Sequence, residues 1–441
     1  MPKFVTTTLG CKVNQCESEY ISKSLTLSGW SSTENVAEAD VCIINTCTVT
    51  AKASMQSRQA IRKAIRLHPE AKIIVTGCYA QTEPDELNKI KGVHHIIGQK
   101  EKHKIISVAN SFFSDTSPAP FKENLIDNMG FMQLPALHSE SRTRVFLKIQ
   151  DGCEAFCSYC IVPYTRGKSR SMPLETVIES IKNIKKAGHR EVVLSGIHIG
   201  KYGLDLSPKT CLLELLTLLD SLKIIDRIRI SSIEPKELVP EIIKLAAKSD
   251  IICHHFHIPL QSGDNEILNK MRRPYTREFF KDLITKINDN IIDAAIGVDI
   301  LAGFPGETDE AFENTYSLIQ ELPVTYLHVF PFSPRKNTVA ENLPGKVPAD
   351  IVKSRCEKMR KLGNLKKTEF YKKAAGADLD VLIEEKRDPK SNLLKGLSSN
   401  YIPVQISGDD RFKNTIVKVN IKKAFGNYVE GSMLELTSNT R

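Results

Sequence analysis

Three cysteines in one short loop constrain this chain more than any other feature. Cys153, Cys157 and Cys160 stand in Asp151-Gly-Cys-Glu-Ala-Phe-Cys-Ser-Tyr-Cys-Ile-Val-Pro163, a C-x3-C-x2-C spacing directly after a strand candidate at 144–150. A loop this tight lets three thiolates converge on one centre. A closed zinc site needs a fourth ligand nearby. The next cysteine is Cys211 and the nearest downstream histidine is His189, neither in a suitable short loop. Three cysteines can instead hold a [4Fe-4S] cluster and leave one iron open to a further ligand.

The strand before the triplet opens a series. Strand candidates at 144–150, 191–194, 227–230, 255–258, 295–301 and 326–330 alternate with helical stretches such as 173–187 and 236–247. Eight βα units close a full barrel, so six predict a partial (β/α)6 barrel with the cysteine loop at the C-terminal ends of its strands. A helix over 349–373 ends this domain, which spans 143–373. Residues 1–112 alternate strands (4–8, 41–44, 73–75, 95–97) with helices (17–30, 52–67), which predicts a doubly wound parallel sheet. Residues 113–142, with Ser, Asp, Pro and Asn but no period, read as a linker. Residues 374–441 carry short strands (380–383, 401–406, 415–419, 427–434) and a Ser407-Gly-Asp-Asp410 turn, the pattern of a small all-β barrel. The fold class is therefore multidomain α/β with a C-terminal β module.

A second set of cysteines lies in the first domain. Cys11 (Thr8-Leu-Gly-Cys-Lys-Val-Asn-Gln15), Cys47 (Asn45-Thr-Cys-Thr-Val49) and Cys78 (Thr76-Gly-Cys-Tyr-Ala80) each stand just beyond a strand candidate. In an open α/β sheet those strand ends share the edge where ligands bind. Cysteines 36 and 31 residues apart can therefore meet. Gly10 and Gly77 allow close backbone approach. Three unrelated buried thiols are the competing reading. Cys42, inside a strand, and Cys16, on the following helix, read as packing residues.

The chain has 441 residues, enough for about three domains. It is 41% hydrophobic and 26% charged, which excludes a disordered chain, a collagen-like repeat and a disulfide scaffold. The eleven cysteines are odd in number, and clustered cysteines in a large chain without an N-terminal signal pattern point to metal in a reducing compartment. No apolar run approaches the roughly 20 residues of a membrane span. A cytoplasmic location without membrane contact is expected.

The Cys153/Cys157/Cys160 motif resembles the signature of radical S-adenosylmethionine (SAM) enzymes. With the N-terminal cysteine set and the small β domain, which resembles TRAM, nearly the whole chain is similar to the methylthiotransferase family within them. That resemblance implies two [4Fe-4S] clusters: one on Cys153, Cys157 and Cys160 that binds and cleaves SAM to a 5′-deoxyadenosyl radical, and an auxiliary one on Cys11, Cys47 and Cys78. The resemblance further implies that one SAM methylates a sulfur species on the auxiliary cluster and that the radical from a second activates a C–H bond for sulfur attack. The Cys11 motif and Leu194-Ser-Gly-Ile-His-Ile-Gly-Lys-Tyr-Gly203 resemble the branch acting on N6-threonylcarbamoyladenosine at position 37 of tRNA. The isopentenyladenosine branch usually has Tyr-Gly-Cys-Gln-Met-Asn, and the ribosomal-protein branch Ser-Leu-Gly-Cys-Pro-Lys-Asn. The implied partners are the tRNA anticodon stem-loop and an electron donor such as flavodoxin or ferredoxin.

The same resemblance puts Tyr159 near the SAM adenine and Ser195 and Gly196 near its amino group. Ser232, Glu234, Gln261 and the Gly303-Phe-Pro-Gly-Glu-Thr308 turn follow further barrel strands at the same rim, where each serves either SAM or a turn. Arg166 is a candidate for a carboxylate or phosphate contact, against a solvated surface role. His254, His255 and His257 look like a metal cluster, but no nearby carboxylate completes one, which favours a structural role.

The net charge of +9 is uneven. Residues 350–373 hold nine basic and three acidic residues, and 374–441 only ten against nine. The basic helix suits a phosphate-tracking surface, or simply a solvated face. Two further readings stand beside the tRNA methylthiotransferase: a relative acting on isopentenyladenosine or a ribosomal protein, and a non-enzymatic iron–sulfur RNA-binding sensor.

Overall fold

The computed structural model of the chain describes residues 1–113, 131 and 142–434. The expected linker lies almost wholly outside them. The first unit runs β1 (Lys3–Thr8), α1 (Lys12–Leu27), β2 (Ser31–Ser32), β3 (Val41–Thr46), α2 (Ala51–Leu67), β4 (Lys72–Gly77), α3 (Cys78–Thr82), α4 (Pro84–Asn88), β5 (His95–Ile97) and α5 (Ile105–Ser111). Its sheet is parallel, in the order β2-β1-β3-β4-β5. Both faces are covered, as parallel sheets require. Cys42, Ile44 and Ile73 pack toward Ile61 of α2, while Ile43 and Ile74 pack toward Ile21 and Leu25 of α1. The chain leaves β1 toward β2 on one side and returns to β3 on the other, so the β1/β3 gap is the topological switch point. Helix α1 starts five residues before the expected 17, because Lys12-Val-Asn-Gln15 has a single apolar residue, Val13, and so no period to read.

The central unit opens with β6 (Arg144–Lys148). A short antiparallel pair, β7 (Gln150–Asp151) with β8 (Arg170–Ser171), clips the base of the cysteine loop and of α6 (Val162–Arg166). There follow α7 (Leu174–Lys186), β9 (Glu191–Ser195), α8 (Leu212–Leu222), β10 (Arg227–Ile230), α9 (Pro240–Lys248), β11 (His255–Gln261), α10 (Asn265–Lys270), α11 (Arg277–Asn290), β12 (Ala295–Ala302), α12 (Asp309–Glu321), β13 (Tyr326–Pro331) and α13 (Ala349–Lys373). Strands β6, β9 and β10 form one parallel ladder and β11, β12 and β13 another, with isolated parallel bridges Ile228–Ile252 and Ser232–His257 near their junction. Among the described residues no ladder joins β13 back to β6, so the barrel is partial.

Alternation along the strands gives the barrel two different faces. Leu147, Val192, Ile228, Phe256, Val298 and Val329 belong to the large core under the helices. The alternate positions include Arg144, Glu191, Arg229, His257, Asp299 and His328. A closed (β/α)8 barrel fills its interior with branched aliphatics. This one lines it with charge.

The last unit is a closed five-stranded barrel of β14 (Asp378–Ile383), β15 (Leu394–Ser398), β16 (Pro403–Ile406), β17 (Ile416–Ala424) and β18 (Val429–Met433). Strand β15 is absent from the sequence reading, since Lys395 and Gly396 weaken its signal. The expected strand at 401–406 begins at Pro403 because Tyr401 takes a positive φ of 66° in the β15–β16 turn. That turn covers the N-terminal end of the central barrel. Tyr401 stacks on His255, the first residue of β11, with ring centroids 4.2 Å apart, and the Arg229 guanidinium lies 5.2 Å from the Tyr401 ring. Arg229 also donates to the Ser399 carbonyl (3.0 Å), and Arg227 to those of Leu397 (3.1 Å) and Asp380 (2.7 Å).

Helix α13 links the two barrels, and much of its charge works internally. Arg355 pairs with Glu307 and Asp309, Lys358 with Glu313, and Arg360 and Lys366 donate to carbonyls of Val329, Gln320 and Leu322. The basic run is therefore partly a packing device rather than wholly an open cationic face. No helix among the described residues is long and apolar enough to cross a membrane.

Candidate cluster sites and cofactor cavity

Cys11 is the N-cap of α1 after β1, Cys47 immediately follows β3, and Cys78 starts α3 after β4. All three sit on the C-terminal edge of the sheet, with Cys11 and Cys47 flanking the switch point. Two glycines make this approach possible. Gly10 has φ +100°, and a Cβ there would lie 2.9 Å from both Cβ and Sγ of Cys47. Gly77 has φ +97°, and its Cβ would lie 2.3 Å from the Thr46 carbonyl. Asn14 fastens the two loops together by donating to the carbonyls of Leu9 (2.7 Å) and Thr46 (3.1 Å). Gln99 Nε2 donates to Cys78 Sγ at 3.4 Å. Burial pushes the Cys11 thiol up and the Cys47 thiol up to about 11. Such groups become thiolates only when a metal compensates them.

The second triplet sits between β7 and β8, where Gly152 (φ +77°) passes so close to Lys168 that a Cβ would lie 1.9 Å from its carbonyl oxygen. Burial raises the Cys157 thiol, opposed by Arg273, and raises the Cys160 thiol to about 12. Cys153 Sγ lies 3.2 Å from His198 Nδ1. His198 Nε2 is 2.7 Å from Glu237 Oε1, an ion-pair distance without hydrogen-bond alignment. Burial alone would lower the His198 pKa, but these two partners raise it to about 10.

The donor sets fit clusters better than single ions. Sulfurs around one tetrahedral zinc lie ~3.8 Å apart. Among the described residues, His257, Asp299 and His328 are the group whose ligand atoms all fall within 4.8 Å, and neither cysteine triplet meets that spacing. All-cysteine donors set wider than one ion allows, on loops that approach closely, suit a cubane held at three corners.

Beside Cys157 a cavity of about 650 Å³ opens on the barrel rim, lined among others by His198, Glu234, Glu237, Arg273 and Tyr275. Arg273 pairs with Glu234, and donates to Cys157 Sγ (3.4 Å) and the Tyr275 hydroxyl (2.9 Å). Of the residues expected near SAM, Glu234 is on this wall. Tyr159 is half-buried against the Met271 and Phe304 cluster, with Arg273, Cys157 and Cys160 as electrostatic neighbours. Ser195 is buried at the end of β9, and Gly196 lies against Gln150, whose Oε1 a Cβ would meet at 2.9 Å. Ser232 is exposed. Gln261 is half-buried with φ +70° at the end of β11. All are on the same rim, but they do not converge on one wall. Arg273 and His198 do: the first lies in no quoted motif, and the second is part of the Leu194–Gly203 motif without a role of its own there.

Two expectations need correction. Arg166 contacts carboxylates, but within the protein. Its side chain is 1% exposed and donates to Glu17 (2.9 Å), Asp151 (2.9 Å) and Asn14 (2.6 Å). Lys102 and Lys148 pair with the same Glu17, and Lys148 also with Asp151. Helix α3 packs on α6 beside this network. The histidine tract does gain a carboxylate: His257 Nε2 is 2.8 Å and His328 Nδ1 3.3 Å from Asp299 Oδ1, brought from neighbouring strands. Cys16 and Cys42 are buried, as expected.

Comparison with known proteins agrees with this architecture. A model described as Uncharacterized protein family UPF0004 matches residues 3–98, and one described as Radical SAM superfamily matches 147–319. The Threonylcarbamoyladenosine tRNA methylthiotransferase MtaB of Bacillus subtilis is 38% identical over 98% of this chain and 96% of its own length. A tRNA-2-methylthio-N(6)-dimethylallyladenosine synthase of Clostridium botulinum is 34% identical over 96% of this chain and 95% of its own. Among solved structures, the radical SAM methyltransferase TsrM of Kitasatospora setae superposes with a TM-score of 0.57 at 15% identity, covering 77% of this chain and 74% of that one, which bears on the fold alone. Full-length identity with methylthiotransferases, joined to a radical SAM barrel, makes the chain a member of the methylthiotransferase family of radical SAM enzymes.

Proposed function

We propose that the protein is a tRNA methylthiotransferase that converts N6-threonylcarbamoyladenosine at position 37 to its 2-methylthio derivative. The observation that carries this reading is one buried ion network that ties Arg166, beyond Cys160, to Glu17, beyond Cys11, on a chain 38% identical to a relative of that name. Carbon 2 of adenine has neither a leaving group nor an acidic proton, so a side chain acting as acid or base cannot exchange its hydrogen for sulfur. Cys153, Cys157 and Cys160 would hold a [4Fe-4S] cluster, which would supply the electron for SAM cleavage, the hard chemistry being the cofactors' own.

The chain's residues bind and position. Cys11, Cys47 and Cys78 hold the auxiliary [4Fe-4S] cluster. Glu234 and Arg273 form the SAM cavity wall, and His198 orients Cys153. Tyr159, Ser195, Gly196, Ser232 and Gln261 complete the rim around SAM. The anticodon stem-loop docks over that rim, and a flavodoxin- or ferredoxin-like donor delivers electrons in the cytoplasm.

The test is nucleoside mass spectrometry of tRNA from cells with and without the gene. Loss of 2-methylthio-threonylcarbamoyladenosine supports the reading. Loss of a 2-methylthio-isopentenyl nucleoside instead moves the protein to the other tRNA branch, and no change in either overturns both.

A further inference from the structure

Lys12 immediately follows Cys11, and its side chain leaves the N-terminal unit for the central barrel. Its ammonium lies 5.7 Å from the ring centroid of Phe146 on β6, and Arg144, Glu191 and Arg229 are within its electrostatic reach. The cations around it are matched. Arg144 pairs with Glu384 (2.8 Å), Arg229 with Glu191 (2.8 Å), and His257 and His328 share Asp299. Lys12 differs, because no carboxylate among the described residues lies within ion-pair distance of it. The lumen beside it is open: His328 is 53% and Phe330 44% exposed, both on the edge strand β13 that no ladder among the described residues joins to β6. An unmatched cation facing an open, polar lumen is an arrangement suited to an anionic ligand.

We propose that Lys12 binds the carboxylate of the threonylcarbamoyl arm and so selects this nucleoside over adenosines with a neutral N6 arm. The inference rests on the substrate reading above. An isopentenyl arm is hydrocarbon and offers a cation nothing to match, and the Tyr-Gly-Cys-Gln-Met-Asn motif of that branch has an uncharged Gln where this chain has Lys12. Position matters as well. Ring atom N1 lies between C6 and C2, so an arm extended along the N1 edge carries its carboxylate toward the side of the base that bears C2. Lys12 adjoins Cys11, so a carboxylate held there keeps that edge near the auxiliary site. Lys12 is thus a specificity residue, and the reacting atoms are handled elsewhere.

The test uses the reconstituted enzyme without reductant, so that binding rather than turnover is read. Four synthetic anticodon stem-loops are compared: threonylcarbamoyladenosine, its methyl ester, isopentenyladenosine and unmodified adenosine. Wild type is expected to bind the acid about 10- to 100-fold more tightly than the ester, the scale of one hydrogen bond to a charged group. Lys12→Gln is expected to bind acid and ester alike, and Lys12→Arg to restore the preference. Iron content equal to wild type shows that the Cys11 site is intact. A Lys12→Gln enzyme that keeps the acid-over-ester ratio overturns the assignment, as does one that weakens on all four loops equally. Wild-type turnover of the same loops separates the two claims. A methylthio product from the isopentenyl loop alone overturns the substrate reading and this inference with it. Product from the threonylcarbamoyl loop with an unchanged Lys12→Gln ratio overturns only the role of Lys12.

Discussion

Arg166 and Glu17 meet 2.9 Å apart with side chains 1% and 2% exposed, one just beyond Cys160 and the other on the helix that begins after Cys11. A guanidinium and a carboxylate this deeply buried are costly to separate. They fix the N-terminal sheet against the central barrel through the segments that follow Cys11 and Cys160. Removing Glu17 leaves the buried Lys102 without a carboxylate among the described residues and Arg166 and Lys148 with Asp151 alone. Glu17→Ala should therefore destabilise the apo-protein by ~3–5 kcal/mol, read as a lower urea midpoint. An unchanged midpoint would show that Asp151 suffices for Arg166 and Lys148 and that Lys102 is held without a carboxylate.

The same network makes stability sensitive to acid. Burial alone would raise the Glu17 and Asp151 carboxyls, but Arg166, Lys102 and Lys148 hold Glu17 well below the usual range, and Lys148, Arg166 and Arg170 do so for Asp151. The unfolded chain takes up these protons near pH 4 while the folded one resists, so unfolding binds protons. The stabilisation is complete above about pH 5 and is lost as pH falls below the unfolded values. Urea midpoints measured from pH 7 to pH 3 should drop below about pH 4.5, and by less in Glu17→Ala.

The two cysteine sets should separate by function. Cys157→Ala is expected to abolish 5′-deoxyadenosine formation, assayed by chromatography. Cys47→Ala should retain part of that activity but yield no methylthio nucleoside by mass spectrometry. Full SAM cleavage by Cys157→Ala would sink the assignment of that loop.

Gly10 offers a test that leaves every thiol in place. A Cβ at 2.9 Å from Cys47 Sγ, on a backbone at φ +100°, forces the two loops apart. Gly10→Ala should lower bound iron by about four atoms per chain, one cubane's worth. Iron analysis beside retained SAM cleavage would confirm that the loss is confined to the auxiliary site.

The sequence was most readable where one residue's neighbours are its own. The strand at 227–230 and the helix at 349–373 coincide with β10 and α13, since apolar period and flanking turns are local properties. The cysteine sets were legible because each follows a strand end, and strand ends share an edge. Arg166 was not, because its partner Glu17 is 149 residues away and nothing in Pro163-Tyr-Thr-Arg-Gly167 distinguishes a buried arginine from a surface one. The His257–Asp299–His328 group depends on the register of three strands, which no single segment encodes. His198 and Arg273 were missed for the same reason: their meaning lies in Cys153 and Cys157, not in their own surroundings.

The turn carrying Tyr401 gives the central barrel a floor made from the chain's own C-terminal module. The barrel keeps its opening at the cysteine rim and, among the described residues, along the side where no ladder joins β13 to β6, so only the end under the C-terminal module is stopped. Cutting that module away would therefore give the lumen a second open end and let bulk water reach the Arg229–Glu191 pair from below.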